Sequence, residues 1–353
     1  MDGLSTDLAT LSRRFRRFGE RECVPASPLY GQLAMGIAGD ANLLLIAAGA
    51  RAGPVPNLFL AAVHFLLLQG AAHPLAEFYP DLAGRAARAP DDDPFPLFRA
   101  FCLAHAGAIG ELIATRLVQT NEVRRCACLM PAFAAVARQA GDRPLALVEV
   151  GASAGLNLLW DRYHYDYGAA GSCGDPRSPV RLACELRGDR QPKLPADLPA
   201  VGFRVGLDLS PIDVCDGDAA LWLRALIWPE QLDRAELLGW ALEIAQAHPP
   251  PLVAGDALDL LPAVLASAES DAALCLFHTF VLNQFPAAAR ERFADLVAEH
   301  AARRDLSVIA IEWREPYPSV VLTSFRSGAR FEKTLAHCDA HGGWLAWLES
   351  SHA

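Results

Sequence analysis

The hydrophobic pattern divides the chain into a helical first part and a second part of alternating strands and helices. In the first part, apolar side chains recur at steps of three and four residues, which is typical of amphipathic helices. The opening helix has five such side chains on one face: Leu4, Leu8, Leu11, Phe15 and Phe18. Further helices are predicted over residues 38–50, 57–71, 95–118 and 127–140. We therefore expect an all-helical domain over residues 1–140.

From Pro144 onward, short apolar runs alternate with helical stretches. Strands are predicted over residues 145–150, 203–207, 251–254, 273–282, 306–311 and 320–325. Helices are predicted over residues 155–162, 217–247, 257–268 and 287–304. This alternation predicts an α/β domain over residues 141–353 with a mainly parallel sheet, which becomes antiparallel at the last two strands. Residues 163–200 are rich in Gly, Pro and Asp and are predicted to form an insertion.

Charge and composition narrow the classes of partner and compartment. The 353 residues include 31 basic and 41 acidic side chains, which give a net charge of −10. The net charge of residues 141–353 alone is −11. This balance disfavours nucleic acid and anionic membranes as partners, so a small molecule is the expected substrate. Nine cysteines without a C-x-x-C pair predict reduced thiols. We expect a cytoplasmic protein without a membrane span, because polar residues interrupt the longest apolar stretch, residues 55–72.

The most informative segment is the turn that follows the first predicted strand. Its sequence is Glu149-Val-Gly-Ala-Ser-Ala-Gly-Leu-Asn157, which comes after the buried run 145–148 and precedes a helix. Ligands bind at the carboxyl ends of parallel strands, where a helix N-terminus offers free N–H groups. We therefore expect a ligand site at this turn.

The residue spacing of this turn can be compared with two known motifs. Gly151-Ala-Ser153-Ala-Gly155 fits the G-x-S-x-G elbow of serine hydrolases, with Ser153 as nucleophile and with Asp256 and His337 or His341 completing a triad. No His-Gly-Gly-Gly oxyanion segment precedes it, and an elbow gives Glu149 no role. A dinucleotide fold is disfavoured, because the spacing is not G-x-G-x-x-G.

The third chemistry is methyl transfer. Glu149-x-Gly151-x-Ser153-x-Gly155 resembles the signature of the class I S-adenosylmethionine-dependent methyltransferases, with Ser153 in place of the middle glycine. The resemblance covers about residues 144–340 and implies a Rossmann-like α/β sheet. It also implies that the acid helps to hold the amino group of the methionine moiety and that the glycines make room for the ligand.

The same resemblance assigns roles further along the chain. Asp208, in Val205-Gly-Leu-Asp208-Leu-Ser-Pro211, stands where an acid binds the ribose hydroxyls, and Asp256 and Ala257 stand where the adenine is held. Leu274-Cys-Leu-Phe-His278-Thr279-Phe280 stands in the fourth strand, whose end faces the transferred methyl group in that superfamily, so His278 is the implied catalytic residue. The implied cofactor-binding residues are Glu149, Gly151, Ser153, Gly155, Asn157, Asp208, Asp256 and Ala257.

Nearly the whole chain also resembles an uncharacterised family of two-domain bacterial proteins. The similar stretches are Gln119-Thr-Asn-Glu-Val-Arg124, residues 149–157, Trp160-Asp-Arg-Tyr163, and Trp222-Leu together with Ile227-Trp-Pro-Glu230. This family resemblance supports the fold and implies no substrate.

Several other side chains have both a structural and a functional interpretation. His278 is either a general base for the acceptor or a histidine satisfied in the core. Either Asn121 or Thr120 caps the following helix, or Asn121 and Glu122 line the mouth of the substrate site. A zinc site on a helical pair of His337 and His341 is disfavoured, so no metal is expected. Six tryptophans are predicted to pack between the helices and the sheet: Trp222, Trp228, Trp240, Trp313, Trp344 and Trp347.

The sequence thus predicts an S-adenosylmethionine-dependent methyltransferase that acts on a small molecule. A serine hydrolase and a non-catalytic protein that binds an adenosyl ligand or another protein remain alternatives. The acceptor and the oligomeric state stay open.

Overall fold

The computed structural model describes residues 7–24, 26–84, 87–88, 92–268 and 271–349. The protein is of mixed α/β class, with many helices and one large mixed sheet. Its chain divides into two compact units. The first comprises Met1–Thr120 and Asp216–Gly239, and the second comprises Asn121–Cys215 and Trp240–Ala353. This division differs from the boundary predicted at residue 140, because the chain returns to the helical unit after the first strands of the sheet.

Twelve α-helices lie in the described residues. They are α1 Leu8–Arg17, α2 Pro28–Gly39, α3 Ala41–Ala47, α4 Val55–Leu68, α5 Pro80–Ala83, α6 Phe95–Ala104, α7 Ala106–Thr115, α8 Cys126–Gln139, α9 Gly217–Ala225, α10 Leu232–Ala247, α11 Ala257–Ser267 and α12 Ala287–Ala301. The predicted helix 95–118 is broken at His105, and the predicted helix 217–247 is two helices, α9 and α10. Leu4 of the predicted opening helix lies outside the described residues.

Capping side chains account for several helix starts in the first unit. The Asp7 carboxylate accepts a hydrogen bond from the Ala9 N–H at the start of α1, and the Asp40 carboxylate accepts from the Asn42 and Leu43 N–H groups at the start of α3. Ser27 caps α2 in the same way. Such residues satisfy the N–H groups that the first helical turn leaves unpaired.

The strands also number twelve in the described residues. They are β1 Leu145–Val150, β2 His164–Asp166, β3 Ser172–Gly174, β4 Arg181–Ala183, β5 Glu185–Leu186, β6 Val201–Asp208, β7 Leu252–Ala254, β8 Ala273–Thr279, β9 Leu306–Arg314, β10 Tyr317–Arg326, β11 Ala329–Cys338 and β12 Trp344–Trp347. The small sheet β3-β2-β4 lies inside the predicted insertion.

The large sheet has the order β5-β12-β11-β10-β9-β8-β1-β6-β7. Strands β7, β6, β1, β8 and β9 run parallel to one another, and β10, β11 and β12 continue the sheet in antiparallel pairs. The predicted switch from parallel to antiparallel pairing is therefore found after β9. The segment that contains His337 is strand β11, so the helical pair considered for zinc is not formed.

Both faces of the central parallel strands β1 and β8 are covered within the second unit. On one face, β1 and β8 pack against α11 and α12 in an apolar core. On the other face, the Phe133 ring of α8 lies 5.1 Å from the Phe277 ring of β8 and 4.8 Å from the Trp160 ring, measured between centroids. Burial on both sides explains why β1 and β8 appear in the sequence as continuous apolar runs.

Two expectations about side chains and one about membranes can be compared with the structure. All nine cysteines are free thiols, and eight of them are buried. Trp222 and Trp347 are buried as predicted, whereas Trp313 is 61% exposed, so the prediction that it packs in the core is wrong. Within the described ranges, no single helix has both the length and the apolarity to cross a membrane, and two bent helix pairs meet that test only when taken together.

Candidate functional site

The turn after β1 lies where the strand order of the sheet reverses. After β1, the next strand of the parallel set along the chain is β6, which pairs with β1 on one side. The later strand β8 pairs with β1 on the other side. Such a reversal leaves a crevice at the carboxyl ends of the two central strands, which is where ligands bind in open α/β sheets. The turn predicted from the sequence is therefore at the position that the topology favours for a site.

Three residues of this turn have left-handed backbone conformations: Gly151 with φ +72°, Ser153 with φ +52° and Gly155 with φ +71°. A Cβ atom on Gly151 would lie 2.4 Å from Cγ2 of Val281, and one on Gly155 would lie 2.7 Å from Cγ of Pro250. The space beside both glycines is thus filled by side chains of the protein. The left-handed conformation and the neighbouring side chains therefore both require glycine at these two positions.

Glu149 is the next-to-last residue of β1 and places an ionisable group, 1% exposed, within a strand whose other residues are apolar and buried. Its Oε1 accepts a hydrogen bond from Nδ2 of Asn157 at 3.2 Å, and its Oε2 has no partner among the described residues. Burial raises the pKa of Glu149 well above its usual value and the negative charge of Asp208 adds to this, while the Asn157 bond and Arg125 act against it. A buried carboxyl with one unpaired oxygen suits a cationic or hydrogen-bond-donating ligand group.

Asp208, at the end of β6, joins the turn to the next strand. Its Oδ2 accepts from the Ser153 N–H and its Oδ1 from the Ser210 N–H, both at 2.8 Å. Its backbone oxygen accepts from the Gly255 N–H at 2.9 Å. Asp256 follows β7, where its carboxylate accepts from the Leu258 N–H and caps α11. Acidic side chains therefore lie at the carboxyl ends of the three neighbouring strands β1, β6 and β7, and Ala257 begins α11 beside Asp256.

The serine-hydrolase alternative requires a hydrogen bond between the Ser153 hydroxyl and a histidine, and none is found among the described residues. The Ser153 Oγ is buried and has no hydrogen-bond partner in the described part of the chain. Asp256 caps α11, and Nδ1 of His337 is 2.9 Å from the Ser319 hydroxyl. No hydrogen bond links Ser153 to either residue in the described ranges, so the geometry does not favour this alternative.

Asn121 reaches the candidate site from the segment before α8. Its Oδ1 accepts from the Leu156 N–H at 2.9 Å, so it caps the 3-10 helix Leu156–Arg162 that follows the turn. Glu122 accepts from the Arg124 N–H and caps the short helix Val123–Arg125. Both residues are buried and have capping roles, and Asn121 does so directly at the β1 turn.

His278 lies next to Val150 on β8 and is 1% exposed. Its Nδ1 is 2.8 Å from Oε1 of Glu312, and its ring packs edge-on against Phe293 of α12 at 5.7 Å. No pattern in the sequence indicates this contact between Glu312 and His278.

Glu312 also fixes the loop after β8. Its Oε1 accepts from the N–H groups of Val281 at 2.9 Å and Leu282 at 3.0 Å. Burial raises the pKa of Glu312, but the hydrogen bonds from His278 and from these N–H groups outweigh it, so the pKa lies below its usual value. Because an ionised carboxylate only accepts hydrogen bonds, His278 must donate through Nδ1, which leaves Nε2 as the unprotonated nitrogen of the neutral ring.

Among the described residues, no group of three or more His, Cys, Asp or Glu side chains is placed to hold a metal ion.

Residues 12–347 match one family model, described as "Uncharacterized protein conserved in bacteria (DUF2332)". No curated protein and no solved structure matches the chain.

Proposed function

The chain belongs to this uncharacterised bacterial family, DUF2332, and we propose that it is an S-adenosylmethionine-dependent methyltransferase that acts on a small-molecule acceptor. The strand order supports a Rossmann-like fold of the methyltransferase type. Numbered along the chain, the five parallel strands have the order 3-2-1-4-5, as in doubly wound nucleotide-binding sheets.

One observation carries the proposal: Glu149, Asp208 and Asp256 lie at the carboxyl ends of three neighbouring strands, and Asp208 is hydrogen-bonded to the turn that follows β1. The unpaired Oε2 of Glu149 fits a ligand ammonium group, which would make ionisation of this carboxyl less costly. Asp208 would then hold the ribose, and Asp256 and Ala257 would hold the adenine. Gly151, Gly155 and Asn157 shape the turn that positions these groups.

S-adenosylmethionine supplies the methyl group as its carbon–sulfur bond breaks, with the bonding electrons staying on sulfur. The chain contributes positioning and a base for an acceptor that must lose a proton. We assign the base to Nε2 of His278, since Glu312 holds the proton of Nδ1 in place. The carboxylate of Glu312 also stabilises the imidazolium that forms when Nε2 takes up a proton.

Calorimetric titration with S-adenosylhomocysteine tests the cofactor site. We expect the wild-type protein to bind, Asp208→Asn to bind at least about tenfold more weakly, which is about 1.4 kcal/mol, and Asp213→Asn to bind like wild type. Asp213 is a matched control, because its exposed carboxylate accepts an N–H bond from the residue two positions later, as Asp208 does. Circular dichroism would check that both variants are folded.

Two results would contradict the proposal. One is the absence of binding by the folded wild-type protein up to millimolar ligand. The other is equal affinity of Asp208→Asn and Asp213→Asn. If no binding is seen, labelling of Ser153 by a fluorophosphonate would test the hydrolase alternative.

The raised pKa of Glu149 gives the titration a second measurable quantity. At a pH above the usual range of a glutamate but below its own pKa, Glu149 holds a proton, and a bound ammonium group should expel it. We expect the binding heat to vary with the ionisation enthalpy of the buffer in that pH range. Glu149→Gln has no proton to lose there, so its heat should not vary, and a wild-type heat that is equal in all buffers would argue against contact between Glu149 and the ligand amine.

A further inference from the structure

The carboxyl ends of β8 and β9 hold an aromatic pair to which the proposed function gives no role. Phe280 follows β8 and Trp313 lies near the end of β9. Their ring centroids are 6.0 Å apart with the planes inclined by 59°, and Trp313 is 61% exposed. Aromatic rings at an open edge offer flat apolar faces against which planar ligands stack.

The backbone holds Phe280 in an unusual conformation. Its φ is +56°, and the left-handed region costs a residue other than glycine about 1–2 kcal/mol. The Phe280 N–H donates to the Ile311 oxygen at 2.8 Å, and the Phe280 oxygen accepts from Nε2 of Gln284 at 2.7 Å. Strain that several hydrogen bonds maintain at a strand end is typical of functional sites, where it directs a side chain.

Arg125 places a positive charge against this pair. Its guanidinium carbon lies 4.6 Å from the centroid of the Phe280 ring, a cation–π contact. The guanidinium also donates to Oγ1 of Thr279 at 3.3 Å and to the Ala340 oxygen at 2.9 Å, so its position is fixed. Val281, the residue after Phe280, packs beside Gly151, where an added Cβ would lie 2.4 Å from Cγ2 of Val281, so the strand end that carries the pair adjoins the β1 turn.

We propose that Phe280, Trp313 and Arg125 form the acceptor subsite, and that the acceptor is a planar aromatic compound with an anionic oxygen substituent. This proposal rests on the proposed function. The exposed face of Trp313 stacks on the aromatic ring, and the charge of Arg125 attracts the anionic group. An acceptor that binds already ionised attacks through its own oxygen and needs no base, so the role of His278 is confined to acceptors that bind protonated.

Saturation-transfer NMR with three simple probes, in the presence of S-adenosylhomocysteine, tests the subsite. Benzoate has both features, cyclohexanecarboxylate has the charge without the aromatic ring, and benzylamine has the ring with the opposite charge. We expect benzoate to bind at least roughly fivefold more tightly than either of the others, in line with the strength of aromatic contacts and the sign of the charge.

The variants separate this subsite from other exposed aromatic side chains. Trp313→Ala should lose most benzoate binding, again by roughly fivefold or more. Phe331→Ala is the matched control, since Phe331 is 60% exposed on β11 and pairs with Ser324, toward the other end of the β9–β10 pair. Equal binding of benzoate and cyclohexanecarboxylate, or wild-type affinity in Trp313→Ala, would overturn the proposed subsite.

Titration of the same samples with S-adenosylhomocysteine distinguishes the two proposals. If the adenosyl ligand binds and benzoate does not, the subsite is wrong and the cofactor site remains. If benzoate binds through Trp313 and the adenosyl ligand does not, the chain has an aromatic-acid site and is not a methyltransferase of the kind proposed.

Discussion

Glu312 shows how much of a site depends on contacts that a sequence does not reveal. Its Oε1 accepts hydrogen bonds from His278, Val281 and Leu282, which lie 30 to 34 positions earlier in the chain. The apolar pattern places His278 within one predicted strand and Glu312 just after another, but it does not say that these strands are neighbours with those side chains on one face. The contact follows from the register of β8 with β9.

The lowered pKa of Glu312 predicts a pH-dependent contribution to stability. Because the folded-state pKa lies below the usual value of 4.5, the ionised form is stabilised by folding. This stabilisation is complete above pH 4.5 and is lost as the pH falls through the folded pKa. We expect Glu312→Gln to lower the free energy of unfolding by about 1–3 kcal/mol at pH 7, as for hydrogen bonds to a charged group, with a smaller difference from wild type below pH 4.

Urea denaturation at pH 7 and at several values below 4.5 measures this difference. Glu299→Gln is the control, because Glu299 pairs with Arg292 at the surface and both side chains are exposed. Its effect should be within about 1 kcal/mol at every pH. If the difference in the free energy of unfolding between wild type and Glu312→Gln were the same at every pH, folding would not preferentially stabilise the ionised carboxylate.

At the scale of elements, the turn after β1 depends on its glycines for two separable reasons. Gly151→Ala places a Cβ in the left-handed region and also 2.4 Å from Val281, whereas Gly188→Ala, at φ +80° with open space around it, meets only the first penalty. We expect Gly188→Ala to cost about 1–2 kcal/mol and Gly151→Ala to cost about 1–3 kcal/mol more because of overpacking. Thermal and urea unfolding would measure both values.

A second substitution checks the steric part of that prediction. Val281→Ala in the Gly151→Ala background removes the methyl group that collides with the new Cβ. The double variant should therefore be less destabilised than the sum of the two single variants. Simple additivity would mean that Val281 does not pack against the turn.

The two strands that are buried along their whole length, β1 and β8, were located within a few residues. Short continuous apolar runs bounded by turn residues are typical of strands covered on both sides. Strand β11 was missed because half of its residues are exposed, and its segment 329–334 is largely polar. Its identity comes from pairing with β10, and such pairing is not encoded in its own hydrophobic pattern.

At the scale of the whole molecule, the same limit applies to the division of the chain. An amphipathic pattern shows that a helix buries one face, but it does not show against which partner. Helix α8 was assigned to the helical unit, yet Phe133 packs on Phe277 in the second unit. Helix α9 was assigned to the α/β domain, yet Trp222 belongs to the core of the first unit.

This division predicts which fragment of the chain folds. In the first unit, Nε1 of Trp222 donates to the Leu117 oxygen at 2.9 Å, the Trp222 ring packs on Phe65 at 5.8 Å, and Nδ1 of His64 lies 3.1 Å from the Ala225 oxygen. A fragment of residues 1–140 lacks all three contacts and exposes the apolar α8. We therefore expect its urea denaturation curve to show no cooperative transition. Residues 1–120 joined to 216–239 by a Gly/Ser linker of about ten residues, which spans roughly 17 Å, restore the contacts and should unfold cooperatively. If the 1–140 fragment unfolds as cooperatively as the joined one, then α9 is not part of the helical unit's core, and the compact units do not fold as the contacts indicate.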